Sequence, residues 1–200
     1  MKNNEEKIIE IAQHISEIME ILEIPSNPST EGTPMRVAKM YVNEVFANRN
    51  NANIKEELDD KMKTFPTTNE APVGYDTDEF IIVKDIPFFS MCEHHFMPFM
   101  GKVTVGYVPG DKIIGLSKIP RVVKYFSKKP QLQERLGNEI CEYLDNLLDP
   151  RALFVRITDC THTCVTARGI ETYCSTDTMA SCSAHDYSRY YDDFMKQINR

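Results

Sequence analysis

Two groups of cysteine and histidine residues in this chain could together bind a metal ion. Cys92 and His95 lie three positions apart, and His162 and Cys164 follow further along the chain. Thiolate and imidazole groups are typical zinc ligands, and zinc usually takes four ligands in a tetrahedron. When a protein supplies only three, the fourth position holds a water that the metal acidifies. The number of ligands therefore separates a structural zinc site from a catalytic one, and the sequence favours three.

The second group leaves more than one choice of ligand. Residues 153–164 have the pattern of a strand, in which Cys160, His162 and Cys164 would share one face. Spacing alone does not choose among these three residues. A structural site in which Cys160 is a fourth ligand also remains open.

The other histidine and cysteines of the region are expected to have different roles. His94 is adjacent to His95, so we expect it to point away from the ion, where it could touch a substrate. Cys141, Cys174 and Cys182 are expected to be small buried hydrophobic residues, which is the usual state of an isolated cysteine.

A predicted helix that starts near Ser117 could bind an anion. Ser117 is a candidate N-cap, and Lys118 and Arg121 lie in or near the first turn. Cations there oppose the helix dipole by several tenths of a kcal/mol, so a phosphate would supply the missing partner. Arg168, four residues after Cys164, would bring another cation near the metal. The other lysines of this basic region are expected to lie on a solvated helix face: Lys124, Lys128 and Lys129.

Glu134 is the one acidic residue in the basic region between Lys112 and Arg135. On its predicted helix it points away from the apolar stripe, so it is either solvated or functional. A carboxylate can accept hydrogen bonds from the N1–H and the 2-amino group of guanine side by side. Spacing does not decide between these two interpretations.

Composition narrows the class of protein. The chain has 200 residues, of which 42% are hydrophobic and 26% charged, as expected for one soluble domain with an appendage. It has no apolar run of membrane-spanning length and no signal peptide, so we expect no membrane association. Six cysteines in such a chain favour reduced thiols in the cytoplasm. A net charge of −7 does not favour nonspecific nucleic-acid binding.

The order of predicted elements indicates an α+β fold. A helix is predicted over residues 5–23, and a second helix is predicted with Thr33 as its N-cap and Pro34 as its first helical residue. After a loop, the pattern is two strands, two helices, two strands and a final helix. It favours an antiparallel sheet with two helices on one face, preceded by a helical extension. The predicted ranges are 80–89 and 102–108 for the first strands, 117–127 and 130–148 for the helices, and 153–164 and 165–180 for the last strands. The predicted regions are residues 1–63 (helical), 64–79 (linker loop) and 80–200 (catalytic domain).

Five segments together resemble one enzyme family, GTP cyclohydrolase I. They occur in that family's order and spacing, and the resemblance extends from about residue 31 to about residue 172. The segments are CEHH (92–95), GLSKI (115–119), QLQERL (131–136), HTCVTARGI (162–170) and TPMRVAKMY (33–41).

The resemblance implies a fold, an assembly and a reaction. The fold would be the tunnelling fold, in which the sheets of several subunits join into a large antiparallel barrel. The assembly would be a homodecamer of two stacked pentamers with active sites between subunits, which removes exposed sheet edges. The reaction would convert GTP and water into formate and 7,8-dihydroneopterin triphosphate, the first step of pterin and folate synthesis.

The resemblance also implies a role for each site residue. Cys92, His95 and Cys164 would hold Zn²⁺, and Cys160 would not be a ligand. Catalysis would involve His162 as the acid, His94 as a second proton-transfer group and Ser117 at the sugar. Guanine would be held by Gln133 and Glu134, and the triphosphate by Lys118, Arg121 and Arg168, with Arg36 and Lys39 as further candidates.

Two other functions fit parts of the pattern. A deazaguanine nitrile reductase of the same fold would share a glutamate for the purine-like ring but would work without zinc. A non-catalytic zinc-containing nucleotide-binding protein would bind GTP without turnover and would use Cys160 as a fourth ligand. Metal analysis and a turnover assay separate these functions from a cyclohydrolase.

Overall fold

The computed structural model describes residues 2–51, 53–67, 79–183 and 187–199. Within these ranges, no helix is both long and apolar enough to cross a lipid bilayer. The elements are α1 (Asn4–Ile21), α2 (Thr33–Met40), α3 (Ile54–Glu57), β1 (Thr64–Pro66), β2 (Ile81–Cys92), β3 (Pro98–Val108), β4 (Lys112–Ile114), α4 (Lys118–Ser127), β5 (Pro130–Gln131), α5 (Gln133–Leu148), β6 (Ala152–His162), α6 (Thr163–Thr166), β7 (Thr176–Cys182) and α7 (Tyr187–Ile198). Two short segments add a π-helical turn at Tyr41–Val45 and a 3₁₀ turn at Asp59–Lys61.

The two N-terminal helices form where the sequence predicts them. Asn3 caps α1, because its side chain accepts a hydrogen bond from the Glu6 amide and the Glu6 side chain accepts one from the Asn3 amide, both at 2.9 Å. The start of α2 differs by one residue from the prediction: Gly32 is the N-cap and Thr33 is the first helical residue. The two helices pack against each other.

A five-stranded sheet forms the centre of the fold. Its strand order is β5-β2-β3-β6-β7, and every neighbouring pair is antiparallel except β5 and β2, which are parallel. The predicted α+β class is therefore confirmed. One difference is at Pro130 and Gln131, which were expected to begin a helix but instead pair with Met91 and Cys92 of β2.

Helices cover both faces of this sheet. On one face α4 and α5 pack over Val105, Ile157 and their neighbours, as the sequence predicts. On the opposite face α7 packs Tyr190 and Phe194 against Phe154. The prediction of two helices on one face is therefore correct but incomplete, because an amphipathic C-terminal helix closes the other face.

A β-bulge changes which residues of β6 face the core. The pairing register shifts between Ile157 and Cys160, and Asp159 adopts a positive φ of 53°. Cys160 consequently lies on the same core face as Ile157. Cys160 and His162 still share a face, since Cys160 Sγ lies 3.5 Å from His162 Nε2. The expectation is wrong for Cys164, because β6 ends at His162 and Cys164 lies in the helical turn α6.

The predicted linker is partly ordered into a strand. Its first residues form β1, which pairs with β4, whereas residues 68–78 lie outside the described residues. A strand was expected over residues 165–180. The observed strand, β7, is shorter and starts later in the sequence, at Thr176–Cys182. The division into regions 1–63, 64–79 and 80–200 stays a prediction.

Candidate metal centre

The end of β2 and the turn that follows it position the first two metal-ligand candidates. Cys92 is the last residue of β2. Its amide donates a hydrogen bond at 2.8 Å to the carbonyl oxygen of Met97, which lies on the other side of the turn. The Phe96 amide donates to the Cys92 carbonyl oxygen at 2.9 Å, with Phe96 at a positive φ of 50°. This tight turn brings the His95 ring back toward the Cys92 thiol.

An ion pair holds the same turn against the next elements. Glu93 pairs with Arg135 of α5, and the Glu93 amide donates to the Gln131 carbonyl oxygen at 3.1 Å. The Arg135 Nε atom also donates to Gln131 Oε1 at 3.0 Å. Glu93 is therefore a structural member of the cysteine–histidine segment, and one cation of the basic region has an internal partner.

Three side chains from two parts of the chain converge in a metal-binding geometry. The ligand atoms of Cys92, His95 and Cys164 lie within 4.8 Å of one another, and Cys92 Sγ is 4.0 Å from His95 Nδ1. In a tetrahedral zinc site with bonds of about 2.0–2.3 Å, neighbouring ligand atoms are roughly 3.5 Å apart. Two thiols and one imidazole at these separations fit zinc with only small side-chain adjustments.

The electrostatics of the two thiols fit the same interpretation. Burial, and then the neighbouring Cys92 thiol, raise the pKa of Cys164. A metal binds the thiolate form of cysteine, so a bound cation would offset this effect on Cys164. Arg168 supplies a nearby permanent cation, because its guanidinium donates to His95 Nε2 at 2.6 Å.

Cys160 does not belong to this group. It is fully buried beneath the sheet, and within the described residues its sulfur is not part of the cluster of metal-ligand candidates. Burial raises the pKa of Cys160 to about 12. The geometry thus contradicts the four-ligand alternative, because the bulge at Asp159 turns this cysteine into the core.

The other cysteines only partly match expectation. Cys141 is buried as expected, and burial raises its pKa. Cys182 is half-buried, and Cys174 is exposed, so the expectation of a buried residue is wrong for Cys174. All six cysteines are free thiols.

His162 lies beside the metal-ligand candidates in a well-defined orientation. Its ring stacks on Phe99, with centroids 4.7 Å apart and an interplanar angle of 4°. Its Nε2 atom is 2.9 Å from Gln133 Oε1 and 3.5 Å from Cys160 Sγ. Burial lowers the pKa of His162, whereas the negative charge of Glu134 acts in the opposite direction. Glu134 itself is exposed, so its carboxylate is available to a ligand next to this ring.

The Gln133 side chain is committed to internal hydrogen bonds. It is only 3% exposed, and its amide nitrogen donates to the Thr176 carbonyl oxygen and to Thr178 Oγ1, both at 3.2 Å. Its oxygen accepts a bond from the Thr176 hydroxyl at 2.6 Å and faces His162. A guanine contact through this amide would require these bonds to be exchanged. Sequence reasoning missed Thr176 and Phe99, because a strand residue carries no signal of its cross-element partner.

His94 stays close to the cysteine–histidine cluster. Its Nδ1 atom is 3.9 Å from Cys92 Sγ, but it is exposed and does not belong to the group of converging ligand atoms. His94 therefore does not point away from the cluster as expected, and its contact with a substrate stays a prediction.

The start of α4 lies away from the metal-ligand candidates. Ser127 ends α4, and its carbonyl oxygen accepts a hydrogen bond at 2.8 Å from Ser90, close to the Cys92 end of β2. A helix of 10 residues is about 15 Å long. Lys118, at the other end of α4, is therefore about that far from Ser127.

The segment before α4 shows the direction of this separation. The Ile114 amide donates at 3.2 Å to the Tyr107 hydroxyl, and Tyr107 pairs with Ile81 at the beginning of β2. The start of α4 thus lies toward the end of β2 that is remote from the metal-ligand candidates. The expected site has two parts, the metal-ligand candidates and a phosphate-binding group. The second part, which consists of Ser117, Lys118 and Arg121, is separated from the first within one chain.

The cations of this second part have varied surroundings. Ser117 occupies the N-cap position of α4 without a side-chain capping bond. Arg121 lines a polar pocket of about 270 Å³ together with Lys124 and Lys128. Lys129 was expected on a solvated face, but it is 7% exposed and pairs with Glu139 at 2.8 Å.

The two candidate cations of α2 are exposed. Arg36 donates to the Ser29 carbonyl oxygen at 2.8 Å and to Thr33 Oγ1 at 3.0 Å, which are both local contacts. Lys39 faces solvent. Among the described residues, neither side chain forms a hydrogen bond or ion pair with Cys92, His95 or Cys164.

Comparison with known proteins gives a consistent result. A sequence model of the family described as GTP cyclohydrolase I matches residues 11–199. A protein named GTP cyclohydrolase 1 from Salmonella choleraesuis (strain SC-B67) is 42% identical over 182 residues, which cover 90% of this chain and 76% of the relative. Its namesake from Erwinia tasmaniensis is 44% identical over 174 residues, which cover 86% of this chain and 72% of the relative.

The chain also has a weaker likeness among solved structures. It resembles the crystal structure of an archaeosine synthase QueF-Like in the apo form, with a TM-score of 0.42 and 15% sequence identity. The likeness covers 55% of this chain and 98% of that chain.

Proposed function

This chain belongs to the GTP cyclohydrolase I family, and from that membership we propose that it hydrolyses GTP to formate and 7,8-dihydroneopterin triphosphate. The observation that carries the proposal is the convergence of Cys92, His95 and Cys164 beside His162 and Glu134. A metal-ligand set, a half-buried proton-transfer group and an exposed carboxylate are what ring opening of a purine requires.

Zinc is the metal that this ligand set fits best. Two thiols and one imidazole are soft and borderline ligands, which favour Zn²⁺ over Mg²⁺ or Ca²⁺. Because the protein supplies three ligands, the site belongs to the open, catalytic class. When bound, zinc makes hydroxide available near neutral pH for attack on a carbon such as C8 of the purine.

The protein's own residues would bind and protonate the nucleotide. Glu134 would accept the two guanine donors, N1–H and the 2-amino group. His162 would donate a proton to a ring nitrogen, which makes C8 more electrophilic. His94, on the exposed side of the cluster, would be a second proton-transfer or orienting group. Ser117 would assist at the sugar.

The triphosphate part of the site would be completed by a second copy of the chain. Arg168 is close to the metal-ligand candidates, whereas Lys118 and Arg121 lie in the first turn of α4, at the opposite end of this helix from Ser127 in the same chain. Assembly between copies would bring these cations to the same nucleotide, with Arg36 and Lys39 as further candidates. We therefore propose a homo-oligomer with shared active sites and, by resemblance, a decamer of two pentamers that joins the sheets into the barrel of the tunnelling fold.

The cellular setting follows from the same proposal. Six free cysteines support a reducing compartment, so we propose a cytoplasmic enzyme. Its product would enter pterin and folate synthesis. No nucleic-acid partner is proposed, since the net charge is −7.

A turnover assay tests the proposal directly. Purified protein incubated with GTP and zinc should release formate and one fluorescent pterin per GTP after oxidation. Protein treated with a chelator should lose this activity and regain it when zinc is restored, whereas a nitrile reductase would be unaffected. GTP binding without formate release would favour a nucleotide-binding protein and overturn the proposal.

A further inference from the structure

The Gln133 amide has only one hydrogen-bonding orientation that satisfies its surroundings. Both N–H groups have acceptors, the Thr176 carbonyl oxygen and Thr178 Oγ1, and the amide oxygen accepts from the Thr176 hydroxyl. If the amide turned over, its oxygen would face the Thr176 carbonyl oxygen, which can only accept. The backbone and the hydroxyl of Thr176 therefore hold the amide from both sides.

This orientation also determines how His162 is held. Because Gln133 Oε1 faces the ring at 2.9 Å, the His162 Nε2 atom must be the donor in this contact. The ring plane is fixed independently by stacking on Phe99. Among the described residues, no hydrogen bond is formed to Nδ1, which is thus the ring atom that can exchange a proton with a ligand.

The close packing of α5 on β7 makes this network possible. Gly137 follows Gln133 by one helical turn, and a Cβ atom there would lie 3.6 Å from the Ala180 Cβ. Four residues of helix advance about 6 Å and two residues of strand about 6.6 Å. Along the same α5–β7 interface, Gln133 therefore contacts Thr176 and Thr178, and Gly137 contacts Ala180 one helical turn later. The hydrogen bonds of Gln133 thus follow from the packing of these two elements.

We propose that Thr176 is a positioning residue for the reaction: through Gln133 it fixes the orientation of His162, so that Nδ1 faces the nucleotide. The inference rests on the proposed function, because it assigns His162 a proton-transfer role. Thr176 itself need not touch the substrate. Gln133 accordingly acts on His162 rather than on guanine through its side chain.

The proposal predicts an effect on turnover without an effect on binding. Thr176→Val keeps the shape and β-propensity of the side chain but removes the hydroxyl that holds Gln133 Oε1. We expect kcat for formate release to fall about tenfold while KM for GTP changes less than about twofold, since small misplacements of reacting groups mainly affect the chemical step. Thr176→Ser restores the hydroxyl and should recover kcat to within about threefold of the unmodified chain.

A matched variant on the same strand separates positioning from general damage to β7. Ser181→Ala changes an exposed hydroxyl of β7 that does not contact Gln133, so kcat should stay near its original value. Zinc content measured on every variant should remain stoichiometric. If Thr176→Val does not fold, Gln133→Met provides the test, and its kcat should fall at least as far.

The outcomes distinguish this inference from the proposed function. If the unmodified chain releases no formate from GTP, the proposed function fails. If it does release formate, the inference fails when Thr176→Val keeps full kcat, when Thr176→Ser is as slow as Thr176→Val, or when the loss appears in KM or zinc content.

Discussion

His162 and Cys164 are two residues apart but have different environments. Cys164 lies in the turn α6 and faces the Cys92 thiol, whereas His162 ends β6 and is held by Phe99 and Gln133. The change from strand to turn between them separates the proposed metal ligand from the proposed proton-transfer group. Substitutions at the two positions should therefore have different effects.

We expect His162→Ala to retain zinc and to lose formate release by about 10²–10⁴-fold, which is the usual contribution of a general acid or base. Cys164→Ala, the matched variant, should lose both zinc and turnover, because one of three ligands is removed. Metal analysis and a formate assay on the same samples measure both effects. Normal turnover by His162→Ala, or stoichiometric zinc in Cys164→Ala, would contradict these assignments.

Glu134 is exposed at the start of α5, and its charge acts on the neighbouring His162 ring. Glu134→Gln removes the charge and one acceptor, so it should weaken GTP binding by about 10–100-fold, as expected for the loss of a charge-assisted hydrogen bond of about 1.5–3 kcal/mol. Glu142→Gln, on the exposed face of the same helix, is the control and should bind GTP normally. Equal GTP affinity in both variants, measured by calorimetry, would rule out the guanine contact.

At the scale of elements, the β-bulges of the sheet determine which side chains of β3 and β6 face the site. The register of β3 and β6 shifts between Met100 and Lys102, next to the shift at Cys160 in β6 and β7. A Cβ atom at Gly101 would lie 2.8 Å from the Thr158 carbonyl oxygen and 3.0 Å from Cys160 Cα. Both contacts are to backbone, which cannot move aside as a flexible side chain could.

Gly101→Ala should therefore destabilise the fold by about 1–3 kcal/mol, the usual cost of overpacking. The melting temperature should fall by several degrees, as expected for a chain of about this size. Gly115→Ala is the control, because its nearest contact would be the Lys118 side chain at 3.8 Å. Equal melting temperatures for the two variants would show that the bulge can accommodate a side chain.

The sequence predicts the elements well but not the contacts between them. Helical spacing locates α1, α4 and α5 because this signal is local. The three-residue spacing of Cys92 and His95 likewise identifies half of the metal site. The bulge at Asp159 could not be predicted, since it depends on the register of two neighbouring strands. For the same reason, neither the burial of Cys160 nor the bond between Thr176 and Gln133 has a local signal.

At the scale of the whole molecule, the residues of the proposed site lie in two separate regions of the folded chain. The metal-ligand candidates lie at the Cys92 end of β2, whereas Lys118 lies about one α4 length away from that end. The two groups therefore lie at different positions along β2, whose 12 residues span roughly 35–40 Å. We propose that a second copy of the chain supplies the missing half of each site.

Co-assembly of two inactive variants tests this division. Cys164→Ala and Arg121→Ala chains, each nearly inactive alone, should regain about a quarter of full activity when co-expressed in equal amounts, because about one site in four combines two intact halves. Cys164→Ala co-expressed with His162→Ala should not recover, since both changes lie in the same half. If the first mixture gives no more than its parents, the two halves belong to one chain.

X-ray absorption spectroscopy at the zinc edge of the purified protein tests the metal centre most directly. We predict two sulfur ligands at about 2.3 Å and two lighter nitrogen or oxygen ligands at about 2.0–2.1 Å, from Cys92, Cys164, His95 and one exchangeable position. A third sulfur ligand would mean that Cys160 closes the site, and it would contradict a catalytic metal.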